Sequence, residues 1–189
     1  DIFPPLTTIL TGMDVTTVEL FASMLAVIAL AGTSAYAVLV LLGFDPGGMV
    51  SATRRIALWL AASVAVVAMF GSLYFSEVAD FVPCRLCWFQ RICMYPLAVI
   101  LVVAAVRRDP AVRWYALPVA AVGSVISLYH YVIEWKPSLG HGACGVGPSC
   151  TDVWFRRMGF VTLAFMALCG FVSIMILLFL QPREKSGEV

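Results

Sequence analysis

The sequence predicts an all-α protein that crosses a membrane several times. Hydrophobic residues make up 62% of its 189 residues and charged residues only 12%, and the apolar residues come in long blocks instead of alternating with polar ones. Backbone groups in lipid must hydrogen-bond within their own segment unless a barrel closes, so blocks of this length indicate helices. The net charge of +1 argues against a nucleic-acid partner.

Five blocks are long enough to cross a hydrocarbon core about 30 Å thick, which takes roughly 20 residues per helix. The first block is too long for the apolar region of a signal peptide and follows no basic region, so we interpret it as a true span. The segment before it, residues 1–17, is expected to lie outside the cytoplasm at the membrane interface. In chain order the five predicted spans are 18–42, 56–75, 88–106, 114–133 and 158–180.

Two of these spans carry features that bear on helix packing. Pro96 removes one backbone hydrogen bond from the third span, which either kinks the helix or is tolerated, and we expect tolerance. The fourth span has a stripe of small residues at helical spacing, which predicts close approach of a neighbouring helix. The stripe consists of Ala116, Ala120, Ser124 and Ser127.

The distribution of arginine and lysine predicts the orientation in the membrane. The richer side is expected to be cytoplasmic, together with the carboxyl-terminal tail at residues 181–189, and five spans then place the amino end outside. Two spans separate the Cys84/Cys87 pair from the Cys144/Cys150 pair, so both pairs lie on one face, predicted to be the outer one. The richer side holds Arg54, Arg55, Arg107, Arg108, Arg113, Arg183 and Lys185, and the other side holds Arg85, Lys136, Arg156 and Arg157.

The six cysteines fall into three groups by position. Cys93 and Cys169 lie inside predicted spans and are expected to be inert core residues. Cys144 and Cys150 lie in "GHGACGVGPSCTDVW", a loop whose glycine and proline content predicts exposure and mobility. In an oxidising compartment these two would form a disulfide, either a structural staple or a reactive bond.

The third group, Cys84 and Cys87, follows Pro83 at the start of an apolar helix. Unsatisfied N–H groups and the helix dipole favour a thiolate at that position, which would make the pair reactive. A zinc site remains an alternative, because the four outer cysteines and nearby His141 could supply ligands. A second staple is also possible, although so short a loop contributes little stabilisation.

Arg91 lies four residues after Cys87, and therefore on the same helical face about one turn deeper. A charge at membrane depth is a functional candidate, although the side chain could also snorkel to the headgroups. His130, near the outer end of the fourth span, is expected at a similar depth, where it could equally be a satisfied interfacial histidine. A thiol pair beside a cation and an apolar cavity suits electron transfer to a lipid-soluble acceptor such as a quinone.

The stretches "PCRLCWFQR", "YPLAVIL", "YHY", "ACGVGPSCTDVWF" and "GFVTLAFMAL" together resemble the DsbB family, especially its short-loop BdbC-type members. The resemblance covers about residues 55–180. It implies a four-helix core with outer loops at 76–87 and 134–157, and the span at 18–42 is then an additional transmembrane helix.

The resemblance also implies the activity, a thiol:quinone oxidoreductase in the cell membrane that sustains disulfide bond formation. Such an enzyme reoxidises an extracytoplasmic DsbA-like protein of the thioredoxin fold and passes two electrons to ubiquinone or menaquinone, with no metal expected. The implied catalytic residues are Cys144 and Cys150, facing the partner, and Cys84 and Cys87, facing the quinone. Arg91 and His130 are the implied quinone-binding residues.

Two other functional classes are alternatives to this one. A solute transporter needs polar groups along its pathway, but the predicted spans hold few ionisable residues besides Arg91 and His130. A non-catalytic membrane scaffold with two structural disulfides is the stronger alternative. It predicts cysteines that stay oxidised whatever the state of the quinone.

Overall fold

The computed structural model describes residues 14–140 and 148–181. Most of these residues are helical, as the sequence predicts, and three short 3-10 helices complete the regular structure apart from one β-bridge. Residues 1–13 of the predicted segment 1–17 and residues 182–189 of the tail lie outside the described residues, and the first helix already begins at Val15. Among the described residues the α-helices are α1 (Val15–Leu41), α2 (Met49–Glu77), α3 (Arg85–Arg107), α4 (Arg113–Trp135) and α5 (Leu163–Phe179).

In the described part of the chain, four helical stretches are long and apolar enough to cross a membrane, and they contain most of α1 to α4. Helix α5 is apolar but has 17 residues, which extend about 26 Å at 1.5 Å per residue. The fifth predicted span therefore starts later than residue 158, because Gly159 has a φ of 80° and Thr162 caps the helix by accepting the N–H of Phe165. The chain is an all-α multi-pass membrane protein.

Helix α3 presents the cysteine pair through the way it begins. Cys84 is its N-cap residue, with extended backbone angles, and its sulfur accepts the N–H of Cys87 at 3.3 Å. The helix continues through Pro96, so the expected tolerance is confirmed. It ends where Arg108 takes a positive φ of 55°.

Helices α2 to α5 share one apolar core that includes Leu97, Leu101 and Phe171. The small-residue stripe of α4 lies at the contact with α5, where Ala116 and Ala120 are fully buried. Gly123 lies directly under the ring of Phe171, and a Cβ there would clash with that ring. The predicted close approach of a neighbouring helix is confirmed.

Helix α1 packs along α5 and touches α2 only sparsely. Glu19, which is buried, accepts two hydrogen bonds from the guanidinium of Arg157, at 2.8 and 2.5 Å. Deeper in the helix, the hydroxyls of Thr33 and Ser173 lie 3.2 Å apart in a buried hydrogen bond. The ion pair fixes the start of α1 at the end of the bundle where α3 also starts, which we call the cysteine end.

Aromatic contacts hold the loop before α5 over the cysteine end. The rings of Phe81 and Trp154 stack with centroids 4.9 Å apart, and Phe155 packs against Phe75 at 5.6 Å. Phe81 lies in the segment between α2 and α3, and Trp154 lies in the segment before α5. These contacts therefore join the two segments at the start of α3. Cys150 is thereby brought close to the first turn of α3.

Candidate active site

The sulfurs of Cys84 and Cys87 lie 2.9 Å apart, and both residues are free cysteines. Cys84 is buried at 5% exposure, whereas Cys87 is partly exposed. The N-cap position turns the Cys84 sulfur back over the first turn of α3, where it meets the N–H and the thiol of Cys87. The pair is therefore held in a geometry from which a disulfide forms with little movement.

The imidazole of His130 completes this arrangement from α4. Its Nε2 lies 3.7 Å from the Cys84 sulfur, and its Nδ1 lies 3.2 Å from the amide nitrogen of Gln90. An amide nitrogen can only donate, so Nδ1 must be the acceptor, and the proton of the neutral ring lies on Nε2. His130 consequently offers a hydrogen-bond donor to the sulfur of Cys84.

These donors stabilise a negative charge on Cys84, which lies just outside the apolar span of α3. The hydrogen bond from the Cys87 thiol, followed by the contact with His130, lowers the pKa of Cys84 from its ordinary 9.0 to about 4, although burial opposes the shift. In the reduced pair Cys84 is therefore the sulfur that favours the thiolate form, because the N-cap sulfur collects the donors.

The carboxyl group of Glu134 lies near the same nitrogen of His130 that faces Cys84. Its Oε1 lies 4.0 Å from His130 Nε2, one turn along α4, and its Oε2 accepts the hydroxyl of Thr162 at 2.6 Å. Both side chains are buried. His130 and Glu134, with Cys84 and Cys87, line a small cavity of about 20 Å³, which has room for about one water molecule.

Cys150 is completely buried and disulfide-bonded. It shares an apolar cluster with Cys84, Leu86 and Ile133, with Cys87 packed against it. The expectation that Cys150 lies in an exposed loop is wrong, because the aromatic contacts of that loop and this cluster draw the residue under the surface. Cys144 and neighbouring His141 lie outside the described residues.

Arg91 lies one turn below Cys87, as the spacing predicts, but its closest partner is on another helix. Its guanidinium donates to the hydroxyl and the carbonyl oxygen of Ser72 on α2, both at 3.0 Å. It also lies over the ring of Trp88 at 5.4 Å. These contacts attach the guanidinium to α2 and hold it one turn from Cys87.

A large apolar cavity of about 640 Å³ lies between α1, α2, α3 and α5. Cys87, Gln90 and Arg91 line it, whereas Cys84 and His130 do not. Cys87 thus borders both this cavity and the small one. The two sulfurs therefore face different surroundings. Cys84 faces the loop of Cys150, and Cys87 faces the apolar cavity.

The large cavity has the size and lining that a quinone requires. Its volume falls in the range of ordinary ligand sites, and its walls are mostly apolar. Tyr74 is one of the lining residues, and its hydroxyl is buried and has no hydrogen-bond partner among the described residues. An orphaned donor of this kind costs stability unless a ligand accepts it, and a quinone carbonyl oxygen is such an acceptor.

Three side chains of the site present metal-ligating atoms. Cys84, Cys87 and His130 each offer one, all within 4.8 Å of one another. This set suits a soft cation such as zinc, which usually takes four ligands in closed sites. Hydrogen bonds among the same three groups already account for their arrangement, so the geometry does not require a metal.

Four polar residues of the site were not predicted from the sequence. Gln90 was visible in the quoted motif, next to Arg91, and Glu134 lies four residues after His130. For Ser72 and Tyr74 the sequence holds no signal, because both become relevant only through packing of α2 against α3. Cys93 and Cys169, by contrast, are buried free cysteines in the core, as predicted.

Comparison with known proteins identifies the family. Residues 53–181 match the family described as disulfide bond formation protein DsbB. Disulfide bond formation protein C of Bacillus subtilis (strain 168) is 43% identical over 134 residues, which cover 70% of this chain and 97% of that protein. Probable disulfide formation protein C 1 of Bacillus anthracis is 45% identical over 134 residues, covering 70% and 96%.

A further relative, probable disulfide formation protein C of Halalkalibacterium halodurans, is 46% identical over 129 residues, covering 67% of this chain and 91% of that protein. No solved structure matches the chain significantly. The matched residues 53–181 contain both cysteine pairs, most of α2 and all of α3 to α5, and they exclude α1. The chain belongs to the DsbB family and is a multi-pass membrane oxidoreductase of disulfide bond formation.

Proposed function

We propose that this chain oxidises an extracytoplasmic DsbA-like dithiol protein of the thioredoxin fold and passes the two electrons to membrane quinone, either ubiquinone or menaquinone. One observation carries the proposal. Disulfide-bonded Cys150 is buried against Cys84, while Cys87, the other member of that pair, lines an apolar cavity of quinone size. Electrons entering at Cys150 thus have a continuous path of sulfur atoms to the cavity.

The proposed orientation places the cysteine end outside the cytoplasm. Arg55, Arg107 and Arg113 lie toward the opposite end of the bundle, at helix ends, where the positive-inside rule places them in the cytoplasm. The carboxyl terminus then lies inside, and the catalytic cysteines meet the compartment in which disulfides persist. In this arrangement the core of residues 55–180 carries the chemistry and α1 is an addition to it.

The reaction begins at the disulfide that we assign to Cys144 and Cys150. A thiolate of the reduced partner attacks Cys144, forming a mixed disulfide and releasing Cys150 as a thiolate. The second thiol of the partner then attacks the partner's other sulfur, which is bonded to Cys144 in the mixed disulfide. The partner leaves oxidised, and Cys144 and Cys150 retain the two electrons.

Transfer between the pairs follows from the contact of Cys150 with Cys84. The Cys150 thiolate attacks Cys84 of an oxidised Cys84–Cys87 disulfide, which releases Cys87. Cys144 then attacks Cys150, restoring the first disulfide and releasing Cys84. The donors from Cys87 and His130 stabilise the departing Cys84 thiolate, since a thiol of lower pKa leaves faster.

The last step takes place at Cys87. Bound quinone supplies an acceptor for two electrons and two protons, so the net reaction turns a partner dithiol and a quinone into a partner disulfide and a quinol. Arg91, one turn below Cys87 and fixed by Ser72, places a positive charge where negative charge develops in a site of low dielectric. We assign His130 to the Cys84 thiolate, because it does not line the large cavity.

The test measures the redox state of the protein's cysteines in membranes that have first been treated with a reductant. Oxidised quinone is added, the reaction is quenched with acid, and free thiols are counted by alkylation of the denatured protein. We expect Cys84 and Cys87 to oxidise in the presence of quinone and to become reduced again when a reduced DsbA-like protein is supplied in excess. Cysteines that ignore both additions would instead support the scaffold with structural disulfides.

A further inference from the structure

Helix α1 forms one wall of the large cavity. Its contributing residues recur at positions i, i+3, i+4, i+7, i+8 and i+11, so they belong to a single helical face. They are Val18, Phe21, Ala22, Leu25, Ala26 and Ala29. Because α1 precedes the matched residues 53–181, this wall is a feature of the chain outside the family match.

The position of α1 is fixed by specific contacts that leave a gap beside it. The Glu19–Arg157 ion pair and the Thr33–Ser173 hydrogen bond attach α1 to the loop before α5 and to α5 itself. Its sparse contact with α2 leaves the space that the cavity fills. The wall is therefore built into the fold.

The cavity lining is divided by chemistry. The polar groups come from α2 and α3, among them Tyr74, Cys87, Gln90 and Arg91, whereas every α1 lining residue is apolar. The α1 face from residue 18 to residue 29 is about 16 Å long at 1.5 Å per residue. The cavity is thus elongated, with polar groups on one side and a smooth apolar face on the other.

We propose that α1 binds the apolar tail of the quinone while α2 and α3 bind its ring. This inference rests on the proposed function, because it takes the quinone as the occupant of the cavity. Alanines at positions 22, 26 and 29 leave room for a branched hydrocarbon chain along the helix. Helix α1 then determines which quinones bind tightly, by recognising their tails.

The test compares two quinones on the purified full chain in lipid nanodiscs. One carries an isoprenoid or decyl tail and the other has the same ring without a tail, and equilibrium dialysis gives a dissociation constant for each. Ala26→Trp should weaken binding of the tailed quinone by about tenfold, which corresponds to loss of contact with about two methylene groups. Binding of the tail-less quinone should change less than about threefold, since that change is under 1 kcal/mol.

Ala31→Trp is the matched control, because Ala31 is on the same helix but is exposed and does not line the cavity. It should leave both constants unchanged. Ala26→Leu provides a smaller substitution should the tryptophan variant fold poorly. As a separate measurement, a quinone with a photoreactive tail should label wild-type α1 within residues 18–29.

The outcomes separate this inference from the proposed function. Ala26→Trp and Ala26→Leu could weaken binding of both quinones equally, or weaken binding of neither. Either result overturns the assignment of α1 to the tail but leaves quinone binding itself intact. The assignment of α1 to the tail is also overturned if the photoreactive tail labels only α2 or α3. It is overturned as well if a lipid acyl chain occupies the space along α1 and the tail does not change quinone affinity. If neither quinone binds the wild-type protein, the proposed function fails and this inference fails with it.

Discussion

Nε2 of His130 lies 3.7 Å from the sulfur of Cys84, and the opposite nitrogen of the same ring is held by the amide of Gln90. The two contacts fix the tautomer, so the donor faces the sulfur without rearrangement of the ring. The histidine and the helix cap therefore act together on one atom. The protonation state of that atom is the most direct quantity to measure.

The first prediction concerns the pH dependence of Cys84. With its pKa lowered from 9.0 to about 4 by Cys87 and His130, the reduced pair should keep a thiolate from neutral pH down to about 4. The ultraviolet absorbance of the thiolate, measured as the difference from Cys84→Ser, should show this titration. His130→Ala removes a donor and should move the midpoint upward. A midpoint that stays near 9 in the wild type contradicts the assignment.

The same shift makes the reduced fold sensitive to acid. Because the pKa of Cys84 is lower in the folded protein than in the unfolded chain, its stabilising contribution is complete above pH 9 and is lost as the pH falls toward about 4. The thermal unfolding temperature of the reduced protein should therefore fall on acidification over that range. Cys84→Ser should lose this part of the pH dependence.

The second prediction concerns Arg91. Arg91→Gln removes the charge beside Cys87, and Arg91→Lys keeps the charge but loses the planar fork that bonds Ser72. A charge-assisted contact of roughly 1.5 to 3 kcal/mol corresponds to about a tenfold to hundredfold higher quinone requirement in Arg91→Gln, and Arg91→Lys should show less. Steady-state oxidation of the reduced partner, with quinone titrated, measures this.

Arg85→Gln is the control for that experiment. Arg85 is an exposed arginine on the same helix and does not line the large cavity, so the quinone requirement should not change. Single-turnover exchange between the partner and the Cys144–Cys150 disulfide, without quinone, should be unaffected in all three variants. An unchanged quinone requirement in Arg91→Gln would mean that the guanidinium only anchors α3 to α2.

The third prediction concerns the unpaired hydroxyl of Tyr74. Tyr74→Phe removes a buried donor that has no partner among the described residues, so the quinone-free protein should be at least as stable as the wild type. Quinone affinity should nevertheless fall by about 2- to 12-fold, the equivalent of one neutral hydrogen bond. Tyr115→Phe, at an exposed tyrosine outside the cavity, should change neither quantity. Lower stability with unchanged affinity would assign Tyr74 a structural role.

The fourth prediction concerns the ion pair that attaches α1. Arg157→Ala leaves the Glu19 carboxylate buried without its partner, and Arg157 is one-third exposed, so the cost should be about 1 to 3 kcal/mol. In a double-mutant cycle with Glu19→Ala, the two changes together should cost less than their sum. Thermal unfolding in detergent gives these values. Arg156→Ala, which removes a contact with Trp135 and leaves the Glu19–Arg157 ion pair intact, is the matched control. Additive costs in the cycle would exclude direct coupling between Glu19 and Arg157.

The fifth prediction concerns contact between the cysteine pairs. A variant with Cys87→Ser and Cys144→Ser retains Cys84 and Cys150, which share one buried cluster. Mild oxidation should join these two sulfurs rapidly, as a mobility shift on a nonreducing gel would show. The matched variant with Cys84→Ser and Cys144→Ser should oxidise more slowly, because Cys87 only packs against that cluster and also borders the large apolar cavity. Equal rates would mean that the order of transfer is not set by position.

Much of the fold follows from local pattern. The apolar blocks correspond to α1 through α5, and the small residues of α4 indicate its close contact with α5, because hydropathy and residue size are legible along the chain. The late start of α5 was not predicted. A glycine at positive φ and a capping threonine, Gly159 and Thr162, are short-range signals that a long hydropathy window averages away.

The candidate site was predictable only in part. The position of Arg91 one turn below Cys87 follows from helical periodicity, which can be read directly from the sequence. The burial of Cys150 and the partnership of Arg91 with Ser72 depend on contacts between segments far apart in sequence. Such contacts are set by how helices and loops pack, and glycine-rich composition alone predicts the opposite for Cys150.

The tight enclosure of Cys84 restricts which reductants can supply electrons. Only 5% of Cys84 and none of Cys150 is exposed, and the adjoining cavity holds about one water molecule. A free thiol the size of glutathione does not fit there, so the Cys84 sulfur is closed to small soluble thiols from this side, whereas Cys150 lies in the same buried cluster. If the pair works as proposed, a disulfide that includes Cys84 receives electrons from within the protein, through Cys150, and not directly from small soluble thiols.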